Sequence, residues 1–226
     1  MTAETYALLE GHMLRCMGDS AHDKEHVYRV LYTALDIAGS EREADREVLI
    51  SACLLHDIGR REQFEDPRLD HAAVGAEKAQ RFLTAHGFEE GMARRVAACI
   101  RTHRFRADRP PESLEARILF DADKLEATGA LGIARTLLYT GRVGQPLYSL
   151  TPQGRVSDGA GEEAPSFFHE YRCKLEGLYG RFFTRRGEEL ARLRRQAAAD
   201  FYQALLAETR LPYERGPALL RAALDG

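Results

Sequence analysis

The stretch Leu54-Leu55-His56-Asp57-Ile58-Gly59 decides how the chain is read, because an apolar run ends there in an adjacent imidazole and carboxylate. Val48, Leu49, Ala52 and Leu55 recur at helical spacing before it, which predicts the last turns of a packed helix running from about Glu43 to His56. His56 falls on the inward side of that helix, and Asp57 follows at its end. Gly59 is expected to close the helix through a left-handed backbone conformation. An inward histidine by itself fits an ordinary hydrogen-bonded core residue. A buried carboxylate beside it is costly unless it is paired or binds a metal.

The rest of the chain reads as helix. Residues 3–17 place Tyr6, Leu9, Met13 and Met17 on one face, and Gly18-Asp19-Ser20 breaks the pattern. A helix is expected from Asp23 to Ala38, with Val27, Val30, Leu31, Ala34 and Leu35 inward and His26 at the edge of that face. A polar loop over Arg60 to Pro67 leads to a helix from about His71 to His86, with Val74, Ala79, Phe82 and Leu83 as core candidates. The segment Glu90 to Thr102 turns Met92, Val96, Cys99 and Ile100 inward, and His103 continues that face. From Leu114 to Lys124, Ala116, Leu119 and Asp123 share one stripe. Before residue 140 apolar and polar residues show no sustained alternation, so strands are not expected.

Between residues 141 and 165 the glycines 141, 144, 154, 159 and 161 and the prolines 146, 152 and 165 exclude a regular element. Helix is expected again from about Ser166, and from Thr184 to Thr209 with Leu190, Leu193, Ala197, Phe201 and Leu205 as its inward stripe. Arg192 and Arg195 lie opposite as a solvated face. The fold expected is an all-α single-domain bundle over 1–226, with its core at about 20–140, a Gly/Pro-rich loop at 141–165 and C-terminal helices at 166–226. Leu211 to Gly226 packs back on that bundle or meets a neighbouring molecule, so a homodimer stays open.

The 226 residues carry a net charge of -3, which gives no electrostatic reason to expect nucleic acid as a partner. The N-terminus lacks a basic segment followed by an apolar core, and no apolar stretch approaches membrane-spanning length. Cys16, Cys53, Cys99 and Cys173 form no CxxC pair and read as reduced thiols, so a cytoplasmic location is expected.

His26, His56, Asp57, His103 and Asp123 therefore come from separate helical segments, most of them on or beside apolar faces. Helical bundles build metal sites from side chains projected inward in this way. A mixed set of imidazoles and carboxylates suits six-coordinate Mn, Fe, Co, Ni or Mg, whereas closed structural zinc sites favour thiolates.

The order His26, His56-Asp57, Asp123 resembles the H…HD…D signature of the HD-domain metal-dependent phosphohydrolases. The flanking text is similar too: His22-Asp23-Lys24-Glu25-His26-Val27-Tyr28-Arg29-Val30, and Asp121-Ala122-Asp123-Lys124-Leu125-Glu126-Ala127 followed by Gly129-Ala130-Leu131-Gly132-Ile133-Ala134-Arg135. Phe168-His169-Glu170-Tyr171 with Lys174-Leu175, and Thr184-Arg185-Arg186-Gly187, resemble a subgroup of small bacterial HD hydrolases, so the likeness spans about residues 20–205.

The resemblance implies His26, His56, Asp57 and Asp123 as ligands of a divalent metal, with Asp57 essential to catalysis. His71 and His103 match positions that hold a second ion or touch substrate in two-metal relatives. Lys124, directly after Asp123, is placed to act as a catalytic and phosphate-binding cation, and Lys174 or Arg104 is a candidate second cation. His12, His22 and His86 are left to local structure. The implied reaction is hydrolysis at phosphorus by a metal-activated hydroxide. Its substrate is a small phosphorylated molecule, first a nucleoside triphosphate cleaved to monophosphate and pyrophosphate. Tyr148 in the Gly/Pro-rich loop offers a surface on which a base can stack. Relatives that hydrolyse ppGpp carry Glu-Asp three and four residues after the motif aspartate, where this chain has Arg60 and Arg61. That departure argues against the same activity. A di-iron oxygenase on the same fold, and a nucleotide-binding module without activity, are the alternatives.

Overall fold

The computed structural model describes residues 1–17, 24–104, 109–161 and 164–225. His22, Asp23 and the break at Gly18-Asp19-Ser20 lie outside those residues. The architecture is all-α, and among the described residues extended pairing is limited to an isolated antiparallel bridge between Leu150 and Val156. The chain forms two compact units, Met1–Glu126 with Phe183–Gly187, and Ala127–Phe182 with Glu188–Gly226.

In the first unit α1 (Ala3–Met17), α2 (Lys24–Gly39), α3 (Arg46–Leu55), α4 (Arg60–Glu65), α5 (His71–Ala85), α6 (Glu90–Arg101) and α7 (Leu114–Leu125) follow in order. The helix starts are set by side-chain caps. Asp45 accepts from the amides of Glu47 and Val48 ahead of α3, Asp70 from Ala72 ahead of α5, and Ser113 from Ala116 ahead of α7. The central helix is α3, which packs against α1, α2, α6 and α7. Its residues Val48, Leu49, Ala52, Cys53, Leu54 and Leu55 are buried all round, as a helix enclosed by others requires. The HD doublet thus emerges from a helix enclosed by four others.

Two expectations need correction here. Arg60 to Pro67 is not simply a polar loop, because Arg60–Glu65 forms α4, held against α5 by Lys78 Nζ, which donates to the Ile58 carbonyl at 2.7 Å and to Glu62. Gly59 is not left-handed: its φ is -95°. A Cβ there would lie 2.4 Å from the His71 carbonyl oxygen and 2.6 Å from the Gly75 amide nitrogen. Glycine is needed because two backbones nearly touch, and the contact locks the HD turn onto the start of α5.

The second unit contains α8 (Gly129–Arg142), the Gly/Pro-rich segment, α9 (Phe167–Glu170), a π-helical turn over Tyr171–Leu175 and most of α10 (Arg185–Asp225). Its core joins Ile133, Val156, Phe167, Phe168, Tyr171, Ala198, Tyr202 and Leu206. The inward face of α10 lies one residue off the expected stripe. Ala191, Ala198, Tyr202 and Leu206 are buried, whereas Leu193 is 74% exposed and Phe201 42%. Small alanines let the helix approach closely, and Tyr202 stacks on Tyr171 with ring centroids 4.1 Å apart, so tight packing overrides bulk hydrophobicity. Tyr148 packs against Phe168 and Tyr213 within this unit. Neither Pro212 nor Pro217 ends α10, which runs on past Thr209 with its last turns exposed. Among the described residues no helix is long and apolar enough to cross a membrane.

Candidate metal centre

Five elements of the first unit deliver six ligand-type side chains to one place. His26 comes from α2, His56 and Asp57 from the end of α3, His71 from the first turn of α5, His103 from just beyond α6, and Asp123 from α7. They fall into two groups, His26 with His56 and Asp123, and Asp57 with His71 and His103. Within each group one donor atom per residue lies within 4.8 Å of the others.

Asp57 joins the two groups. Its Oδ2 lies 3.7 Å from the Nε2 atoms of both His26 and His56. Its Oδ1 lies 3.5 Å from His71 Nε2 and 3.6 Å from His103 Nε2. Asp123 Oδ1 is 3.3 Å from His26 Nε2 and 4.0 Å from His56 Nε2. The six side chains named from the sequence as ligands or second-ion positions are therefore brought together.

The outward ring nitrogens show what the inward ones must be. His56 Nδ1 donates to the Cys53 carbonyl at 2.7 Å, and His103 Nδ1 to the Ile100 carbonyl at 2.6 Å. His71 Nδ1 donates to Gln63 Oε1 at 2.7 Å, and His26 Nδ1 to Glu126 Oε2 at 3.2 Å. A carbonyl or carboxylate oxygen accepts only, so each Nδ1 carries a hydrogen, and a ring in its neutral form turns a lone pair inward. Those lone pairs meet closely, with His26 and His56 Nε2 3.4 Å apart and His71 and His103 Nε2 3.3 Å apart. Lone pairs facing each other, with two carboxylates beside them, call for a cation between them. The donor set fits a divalent metal on this ground.

The electrostatics agree. Burial acts against a charged His26, but the hydrogen bonds with Asp123 and Glu126 outweigh it and raise its pKa to about 9, so a proton is one cation the first group can hold. Burial lowers His56 to about 4. Burial, followed by the Arg60 charge, lowers His71 to about 2. Burial also opposes the charged form of Asp57, yet His56 and Arg60 prevail and hold it well below the usual carboxylate range. Asp123 is likewise held low, chiefly through His26.

Three supporting residues were not anticipated. Glu126 orients His26 and is itself held by Arg29 Nη2 at 2.9 Å. Gln63 orients His71, and Arg60 Nε donates to Asp57 Oδ1 at 2.9 Å. Glu126 lies three residues after Asp123, at the C-terminal cap of α7, so its spacing carried a signal; the other two depend on the fold of α4. Asp121 is fully buried and accepts from the amides of Phe183 and Thr184 and from Thr184 Oγ1, fixing the segment before α10.

The remaining expected cations are dispersed. Arg104 pairs with Asp70, beside His71, at 3.3 Å. Lys124 is largely buried, with Nζ 4.1 Å from the centroid of the Phe120 ring. Lys174 belongs to the second unit and pairs with Glu170 at 2.7 Å. His12 stacks on Phe82, and His86 Nδ1 donates to the Phe82 carbonyl, so both serve local packing.

With this fold and this site, the chain belongs to the HD-domain superfamily of metal-dependent phosphohydrolases. The family model described as HD domain matches residues 24–128, which contain all six ligand-type residues. The chain is 30% identical over 191 residues to the uncharacterised protein YpgQ of Bacillus subtilis (strain 168), covering 82% of this chain and 83% of that protein. The crystal structure of Bacillus subtilis YpgQ in complex with ADP is similar with a TM-score of 0.70 and 26% identity, over 90% of this chain and 97% of that one. A structure from an uncultured Thermotogales bacterium, described as a predicted HD superfamily hydrolase, matches at 30% identity and a TM-score of 0.58 over 91% of each chain.

Proposed function

We propose that this protein hydrolyses a phosphoric ester or anhydride bond of a small phosphorylated molecule. A nucleotide is the favoured substrate, with nucleoside triphosphate cleaved to monophosphate and pyrophosphate. The observation that carries this reading is the convergence of four oriented imidazoles and two carboxylates. When bound, a divalent ion such as Mn, Mg, Co, Ni or Fe supplies Lewis-acid activation of water, lowering its pKa from about 16 toward about 7.

The chain's own part is positioning. His26, His56, Asp57 and Asp123 would hold the first ion, and Asp57 also turns its second oxygen toward His71 and His103. Glu126, Gln63 and the Cys53 and Ile100 carbonyls keep the rings aimed inward. Arg104, one residue after His103, is the cation proposed to meet a phosphate group, and Lys124 adds positive charge beside Asp123. No nucleophilic side chain is required, because in-line displacement at phosphorus rests on alignment and charge neutralisation. The nucleotide preference is supported by YpgQ, which was crystallised with ADP.

One observation favours a second reading. A carboxylate shared by two histidine groups also suits a di-iron centre that activates oxygen.

The test is pyrophosphate and phosphate release from a nucleotide panel by metal-stripped protein reloaded separately with Mn, Co, Ni, Mg and Fe, with Asp57→Ala as control. Release that needs metal and vanishes in the variant supports the hydrolase. No release, with iron retained and oxygen consumed, supports the oxygenase. Silence on both counts leaves a nucleotide-binding module.

A further inference from the structure

The two donor groups share Asp57 but do not meet the same charge. The first group combines Asp57 Oδ2, two imidazoles and the whole Asp123 carboxylate, with Glu126 behind His26. The second has two imidazoles and Asp57 Oδ1, and that oxygen is already engaged by Arg60 Nε at 2.9 Å. A second guanidinium, Arg104, pairs with Asp70 directly before His71. Asp57 is buried, with its side chain 1% exposed, so water screens the Arg60 ion pair poorly. Its neighbour Arg61 pairs instead with Glu65 on the exposed side of α4 and does not share in this contact.

A guanidinium bonded to a carboxylate oxygen weakens that oxygen as a metal donor, and its charge repels an arriving dication. We propose that Arg60 makes the two groups unequal. It holds the Asp57 oxygen that a second cation needs, so His26, His56 and Asp123, with the other Asp57 oxygen, take the first ion. The group of Asp57, His71 and His103 fills only as the guanidinium gives that oxygen up. This inference rests on the metal-dependent reading above and deepens it by assigning control of the metal count to one residue.

The experiment is a Mn2+ titration of metal-stripped full-length protein, with free Mn2+ counted by electron paramagnetic resonance. Exchange coupling between neighbouring ions reports double occupancy. Wild-type protein is expected to bind one ion tightly and a second about tenfold or more weaker. Arg60→Gln should tighten the second event by about tenfold or more and bring in the coupled signal at lower Mn2+. Arg60→Lys, which keeps the charge but loses the Nε contact, should fall between them. In the Arg60→Gln background, His71→Ala should remove the second event and leave the first, with circular dichroism confirming that each variant folds. Two equal events in wild-type protein, or an unchanged second affinity in Arg60→Gln, overturn the proposal while leaving the metal-dependent reading intact. No tight Mn2+ in wild-type protein overturns the proposal, and the metal-dependent reading falls with it when Co, Ni, Mg and Fe also fail to bind.

Discussion

Replacing Gly59 by alanine isolates what one backbone contact contributes to the site. The φ of -95° is open to alanine, so the substitution carries no conformational penalty of its own. The added Cβ would meet the His71 carbonyl oxygen at 2.4 Å and the Gly75 amide nitrogen at 2.6 Å, where ordinary contact begins near 3.4 Å. Both are backbone atoms of α5, so neither can rotate away, and the HD turn and α5 must separate by about 1 Å. Strain of this kind in a close-packed region costs about 1–3 kcal/mol. At about 2–4 °C per kcal/mol for a chain of this size, the melting temperature should fall by about 2–12 °C. The same separation moves His71 away from Asp57, so the second donor group should weaken more than the first. Gly39→Ala is the matched control, because nothing lies within 4 Å of its added Cβ. It should be neutral or stabilise by up to about 1 kcal/mol. The assay is thermal unfolding of both variants, followed by Mn2+ titration at 25 °C. A Gly59→Ala protein as stable as wild type, with both donor groups unchanged, would refute the steric argument.

Glu126→Gln keeps a hydrogen-bond acceptor for His26 but removes the charge, and is expected to lower affinity for the first ion by about 10–100-fold in a competitive chelator titration. Asp45→Ala removes the cap of α3 and should cost about 1 kcal/mol in urea unfolding at neutral pH. Partial burial works against the Asp45 carboxylate, but the Val48 amide and Arg95 hold its folded pKa below the ordinary value. Its contribution is therefore complete above the unfolded-state pKa and disappears as pH falls through the folded-state one, so wild type and variant should converge in acid. Asp121→Ala leaves the Thr184 amide and hydroxyl without their buried acceptor, and unfolding should show a loss of about 1–3 kcal/mol.

Much of the candidate site was legible because ligand-type and core residues share helical faces. His26, His56, His103 and Asp123 each continue an apolar stripe, and a stripe reports which way a side chain points. His71, at a helix start, gave no such signal, and its place was implied only by resemblance. The partners of the ligands were harder to read. Arg60 reaches Asp57 because the residues after Gly59 coil into α4, which a polar stretch of six residues does not announce. Gly59 was recognised as special for the wrong reason, since sequence shows the missing side chain but not which backbone approaches it. On α10, Leu193 and Phe201 looked like core by hydrophobicity. Alanine and Tyr202 won the inward face through fit, a property of the neighbouring surface as much as of the helix.

His56 and His103 are each anchored to a carbonyl three residues earlier, in the last turn of their own helix. Helix ends fray, and a ring held by the final turn loses its aim whenever that turn opens. An ion bound between such rings draws on the closed turns alone, so binding must suppress the opening by the same free energy that opening withholds from binding. Amide hydrogens at the ends of α3 and α6 should then exchange more slowly as the metal concentration rises. The slowing measures the same equilibrium as the affinity, seen from the main chain.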